Sequence, residues 1–444
     1  MDSRLTRPLG AIACAVMLLL ALPARAEQPL TLEHALAMAV SSHPELGVAQ
    51  ADLAAARAES TFASVRAFNP QLDLQSTRGG ASLASSADNT VEIGVSQEFE
   101  RGGNRAARQA LANARVQTSA AQWRAKWQEL ESSVRASFAH ALFLQDRLAT
   151  VQGLVVLDSA VVRATQARVR EGSITPVTGR LTDLDLLRVR SQAARAHGDL
   201  RQARVALALA IGQPLDDALV LAGELHADTL QASEDSVLAQ AVRFRRSVEV
   251  LQRRIAERRA ELHLAQLEGR ANLTLGLSVA REQRSFAHDD FSGASDIIGG
   301  IAGARAVDHT WTARVSAPLP LWQRNQAGRA RAVAAIGQSE AEYQRDRLQT
   351  QMQVVAAVRR VEDAAALYRL YLERSSRVRQ DLALMRNAYA DGRITLDSYL
   401  TQKGRLVDTV FAELEAGDAY WDARGQLESA AGADLARINT GGVR

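Results

Sequence analysis

The sequence predicts a mainly α-helical chain with a membrane β-barrel. A duplicated unit supplies very long helices and four strands, and the barrel closes only with other copies of the chain. Three observations predict this. Helical periodicity runs without a proline or turn cluster from 103 to 170, and again from 323 to 390. Short segments recur in the same order in the two halves. Four segments alternate apolar and polar residues with a period of two.

Composition sets the limits. The 444 residues are 47% hydrophobic and 23% charged, inside the range of ordered proteins. Lys and Arg number 53 against 50 Asp and Glu, a net charge of +3 with none of the excess that nucleic-acid binding needs. The bases are almost all arginines, Lys126 and Lys403 being the only lysines.

Residues 1–26 read as a cleaved signal peptide. Arg4 and Arg7 precede the apolar run Leu9 to Leu22, and Ala24-Arg25-Ala26 is a small-x-small cleavage site. The run is about 14 residues, too short for the roughly 20 of a bilayer helix, and it continues past Cys14, which argues against lipidation there. A mature chain starting at Glu27 holds no cysteine, which removes disulfides and thiolate sites.

The mature chain divides into a first repeat, 27–222, and a second, 223–444. Gly172-Ser173-Ile174-Thr175 recurs as Gly392-Arg393-Ile394-Thr395, and Val95-Ser96 with Asn104 and Arg108 recurs as Val315-Ser316 with Asn325 and Arg329. Each repeat opens with a helix, Leu32 to Val65 and Ser233 to Glu268. Strands follow at 70–77 and 90–97 in the first repeat, and at 271–280 and 310–316 in the second. Next comes a rod of about 68 residues, about 100 Å at 1.5 Å per residue. In the first rod Trp123, Trp127, Leu130, Val134 and Phe138 keep the 3-4 spacing of a narrow seam. A last helix, 177–211 or 396–431, completes the repeat, so that two short helices end to end match one rod. Residues Gly212 to Gln231, with Pro214, interrupt the helical pattern and are expected to pack outside the middle of the rods.

The strands carry the sharper prediction. Val91, Ile93 and Val95 share one face, as do Leu273, Leu275, Leu277 and Val279, and Trp311 and Val315. One apolar face suits half a sandwich or the wall of a membrane barrel, and the strand lengths fit the barrel. The segments Gly79 to Asn89 and Glu282 to His309 read as exposed polar loops, with His288-Asp289-Asp290 and His309 as solvated groups there. Four strands cannot close a membrane barrel, and an open edge in lipid leaves backbone groups unpaired. Three copies give twelve strands; strand count alone also allows a dimer or a tetramer.

The chemistry of catalysis is missing. The 8 histidines are scattered without metal-ligand spacing, and there is no phosphate loop or nucleophile elbow. The expectation is no enzyme, no catalytic residue, no metal site and no cofactor.

The whole pattern resembles the TolC family of outer-membrane efflux ducts. The likeness rests on Leu30-Thr31-Leu32, Ala35-Leu36, His43-Pro44-Glu45-Leu46 and Ile211-Gly212-Gln213-Pro214. Ile174-Thr175-Pro176-Val177 and the joint from Pro318 to Asn325 are similar to the CzcC-like, heavy-metal branch. The resemblance implies a homotrimer whose twelve-stranded barrel sits in outer-membrane lipid and whose helical barrel lies in the periplasm. It implies a periplasmic membrane-fusion adaptor and an inner-membrane RND or ABC transporter as partners, and no nucleic acid. It puts Gly172, Ile174, Thr175 and Pro176 at the periplasmic tip with Gly392, Arg393, Ile394, Thr395 and Asp397, where the pore narrows and the adaptor docks. An Arg393 to Asp397 contact is the expected latch, each residue displaced by one from the family pattern. Cargo stays open between metal ions, drugs and secreted polypeptides, and a soluble periplasmic coiled-coil scaffold or adaptor is the reading from another class.

Overall fold

A computed structural model describes residues 29–78, 89–100, 102–214, 220–223, 225, 230–285 and 305–440. The signal peptide, Cys14, the first strand-connecting segment from Gly79 and the triplet His288-Asp289-Asp290 lie outside the described residues.

The order of elements is α1 (Leu32–Ser42), α2 (Pro44–Ala63), β1 (Gln71–Arg78), β2 (Asn89–Phe99), α3 (Asn104–Arg170), α4 (Pro176–Ile211), α5 (Glu234–Phe244), α6 (Arg246–Leu267), β3 (Leu273–Ser285), β4 (Arg305–Ser316), α7 (Gln326–Ala390), α8 (Leu396–Ala431) and α9 (Leu435–Asn439). Helix pair, strand pair, rod and helix follow one another twice, with rods of 67 and 65 residues.

Three expectations change. The first helix is broken at His43, which adopts extended angles because Pro44 excludes the helical conformation from the residue before it. The helix expected from Ser233 to Glu268 breaks at the corresponding place, Arg245, with no proline to force it. There the Phe244 carbonyl accepts a hydrogen bond from Gln128 Nε2 at 3.0 Å. The segment read as a loop up to His309 contains the extended ends of β3 and β4, because their ladder continues to Ser285 and Arg305. Helix α9 was not expected from periodicity; Asp434 caps it by accepting from the Arg437 amide at 2.8 Å.

The chain folds into two compact units that each draw on both repeats. The helical unit takes described residues of Met1–Gly47, Lys126–Arg245 and Gln349–Arg444. Its largest core joins Ala35 and Ala39 of α1, Val134, Phe138 and Leu142 of α3, Leu207 and Ile211 of α4 and Tyr420 of α8. A second cluster joins Val237, Val354, Val358, Val361 and Leu427 under Leu435 and Ile438 of α9. The inter-repeat segment is tied in by a parallel bridge between Leu30 and Leu221, and by Gln145, whose side-chain amide makes two 3.0 Å hydrogen bonds to the Leu221 backbone.

The sheet unit takes Val48–Ala125 and Arg246–Leu348. Its helices bury small residues, Ala56, Ala107, Ala112 and Ala121 among them, which lets backbones approach closely. Its strands form one antiparallel sheet in the order β1-β2-β3-β4, with each repeat supplying a pair.

Candidate functional site

The ladder sorts every strand residue onto one of two faces. Leu74, Ile93, Val279 and Trp311 stand in one cross-strand row, and Leu72, Val95, Leu277 and Ala313 in another. The intervening rows are polar: Asp73, Gly94, Ser278 and Thr312, then Gln71, Ser96, Gly276 and Arg314. Exposure runs opposite to that of a water-soluble sheet. On β2, Val91, Ile93 and Val95 are exposed while Glu92, Ser96 and Glu98 are half-buried and Gly94 is buried. Leu273, Leu275, Leu277, Trp311 and Val315 are exposed as well, with Trp311 at 71%, and Val279 is half-buried.

The polar face is the concave one. It lines a hollow of about 300 Å³ that includes Asp73, Glu92, Ser96, Ser278 and Arg314. Gly94 permits the curvature, since a Cβ there would stand 2.9 Å from the Ser278 Cβ. Ser96 Oγ donates to Asp73 Oδ2 at 2.9 Å, and Asn272 Nδ2 to Glu98 Oε1 at 2.8 Å. Five described acids, Asp73, Glu92, Glu98, Glu282 and Asp308, share this face with Arg314. A face of this kind can line water, and its apolar reverse can meet lipid.

The second candidate region is the pair of turns ending α3 and α7. Gly172 and Gly392 have φ of 78° and 76°, left-handed conformations that a side chain would strain. Around them Ser173 N donates to Arg168 O at 2.9 Å and Arg393 N to Ala388 O at 2.8 Å, the six-to-one bonds of a Schellman cap. Pro176 then occupies the first position of α4, where its missing N–H costs nothing. Thr395 caps α8 by accepting from the Ser398 amide, and Ile394 packs on Val161, Tyr389 and Tyr399. Ile174 and Thr175 complete the first turn.

The turns are joined by Arg168, which donates to the Ala390 carbonyl at 3.1 Å and lies 5.1 Å over the Tyr389 ring. Tyr389 stacks on Tyr399 at 5.2 Å and its hydroxyl is 2.8 Å from Thr165 Oγ1. Arg393 Nη2 lies 3.5 Å from Asp391 Oδ2, and Asp397 remains in the first turn of α8, where the helix dipole favours an acid.

A buried ion group that the sequence reading missed lies deeper in the helical unit. The Lys403 ammonium lies 2.7 Å from Asp158 Oδ1 and contacts Asp185, and Lys403 and Asp158 are each 3% exposed. It ties α8 to α3 and α4. Burial pushes the Asp158 carboxyl above its ordinary range, against the pull of Lys403. Burial, with Asp158 and Asp185 nearby, likewise raises the Tyr399 phenol. A signal was present: one of two lysines in an arginine-rich chain falls on the buried stripe Tyr399, Lys403, Val407, Val410 and Leu414. Among the described residues no three His, Cys, Asp or Glu side chains converge as metal ligands.

Residues 35–213 match the sequence model of the family described as Outer membrane efflux protein. No curated protein matches the chain. Among solved structures, a membrane protein from Pseudomonas aeruginosa is 18% identical, with a TM-score of 0.68 over 90% of this chain and 93% of its own. CusC, whose structures concern folding and transmembrane channel formation, is 16% identical, with a TM-score of 0.67 over 90% and 92%. The outer membrane protein VceC from Vibrio cholerae is 16% identical, with a TM-score of 0.64 over 91% and 96%. At these identities the likeness is one of fold, and the fold is that of TolC-like outer-membrane channels. The family model spans less than half of the chain, and the superpositions span about nine-tenths of it.

Proposed function

We propose that the chain is the outer-membrane duct of a tripartite efflux system, passing cargo passively from an inner-membrane pump and a periplasmic adaptor to the exterior. One observation carries this reading: a sheet whose exposed face is apolar and whose concave face is polar, with too few strands to close alone. Closure by three copies gives a twelve-stranded wall with water inside and lipid outside. The helical unit then forms the periplasmic part, with the Gly172 and Gly392 turns offered to the adaptor.

The acids on the concave face favour cations, which supports metal-ion cargo over anionic drugs or polypeptides. The test is reconstitution of protein extracted from outer membranes into planar bilayers. The expected result is a trimer with steady conductance that passes cations more readily than anions. A soluble monomer that never conducts overturns the duct in favour of a scaffold, whereas anion preference overturns only the cargo.

A further inference from the structure

Among the described side chains, the apolar face of the sheet carries its charges at one end only. Leu273, Leu275, Leu277 and Val279 climb β3 without interruption, and the next residue on that face is Arg281, paired across the ladder with His309. Arg78 stands one row further along, on β1. Among the described side chains these three are the only ionisable groups on this face. All three are basic and exposed, and none has a described partner.

The acids at this level have been sorted to the other side. Glu282 and Asp308, the immediate chain neighbours of Arg281 and His309, pair with each other on the concave face. Chance placement of mixed charges would let Arg281 or His309 find an acid within its own row. Instead, among the described side chains at this height, bases face outward and acids inward.

That height is the upper edge of the apolar band. Arg281 is eight residues beyond Leu273, about 27 Å along the strand and about 20 Å in height at the tilt of barrel strands, close to the roughly 25 Å of an outer-membrane barrel's apolar girdle. Trp311, 71% exposed and two residues from His309 on the same face, stands where interfacial aromatics sit. The basic row therefore lies where lipid chains give way to headgroups, at the strand ends that lead into the two connecting segments. A guanidinium fork is suited to phosphate oxygens, and an imidazole N–H adds a donor beside it.

We propose that Arg78, Arg281 and His309 form a binding row for the phosphates of the glycolipid in the outer leaflet. The inference rests on the duct reading, because it needs the apolar face to meet lipid. Its occupant is a phosphorylated lipid headgroup at the barrel wall, and this contact orients the barrel and fixes its depth.

The experiment uses the full mature chain in detergent, titrated with bisphosphorylated lipid A, the same lipid stripped of phosphate, and inorganic phosphate, with binding read by native mass spectrometry. The expected result is binding of bisphosphorylated lipid A that weakens about tenfold or more when Arg78→Gln, Arg281→Gln and His309→Gln are combined. Arg281→Lys alone should keep most of the affinity, and Arg314→Gln on the concave face should leave it unchanged. Equal affinity of wild type and triple variant, or equal affinity for the phosphate-free lipid, overturns the row. Full competition by inorganic phosphate at matched concentration overturns the lipid as its occupant. If those results come from trimers that conduct in planar bilayers, the row fails and the duct stands; a monomer that never conducts fails the duct itself.

Discussion

The helical unit and the sheet unit handle charge in opposite ways. In the helical unit, Lys403 and Asp158 are each 3% exposed and are compensated by one another and by Asp185. In the sheet unit, Leu277 is 56% exposed and Trp311 71%, while Glu92 and Glu98 are half-buried on the concave side. The first pattern suits a core surrounded by water, where burying a charge demands a partner. The second suits a wall whose outer solvent is hydrocarbon. On the proposed duct one sequence serves two solvents, and substitutions should separate them.

The largest effect is expected from charging the outer face. Leu275→Arg with Leu277→Arg puts two guanidinium groups on the apolar face, at about 2 to 4 kcal/mol each near the bilayer midplane. Trimers should vanish from outer-membrane fractions, as judged by heat-modifiable migration, while Ser278→Arg on the concave face should assemble. Equal tolerance of both faces would break the comparison at its root.

Next in size is Lys403→Met, which leaves Asp158 in the core without its counter-charge. A loss of about 3 kcal/mol is expected in the thermal or denaturant unfolding of the helical part. The raised pKa of Asp158 trims the loss, because the carboxyl can take up a proton instead. Lys403→Met combined with Asp158→Leu should recover most of it. A double variant no better than the single one would mean that Lys403 matters for its packing and not for the pair.

Much of this was legible in the sequence because period and length are local signals. The rods from 103 and 323 differ from α3 and α7 by three residues or fewer at either end, and Val91, Ile93 and Val95, read as alternating, share one exposed face of β2. Pro44 marks the break in the first helix; the matching break at Arg245 has no proline, and there the Phe244 carbonyl accepts from the distant Gln128. The Asp391 partner of Arg393 within the chain was not legible either, because a tight turn decides which acid a guanidinium lies beside. The ion group of Lys403 joins residues 218 and more positions apart, beyond what spacing on one helix can show.

The smallest predicted effect is a pH dependence confined to the helical unit. His140 Nε2 lies 3.0 Å from Asp418 Oδ1, with Asp422 on α8 and Asp199 on α4 also acting on it. The hydrogen bond to Asp418 raises the imidazole pKa above its usual 6.5, against the opposing effect of partial burial. A group whose pKa is higher when folded binds its proton more tightly in the native state. Its stabilisation is therefore complete below about pH 6.5 and disappears as pH climbs through the raised folded value. The pair is 45% and 40% exposed at its two side chains, so water screens it and the contribution should stay below about 1 kcal/mol. Melting temperatures of wild type and His140→Gln, taken from pH 5.5 to 8.5, should differ most at the acid end and converge at the alkaline end. A constant gap across that range would show that His140 acts by packing alone.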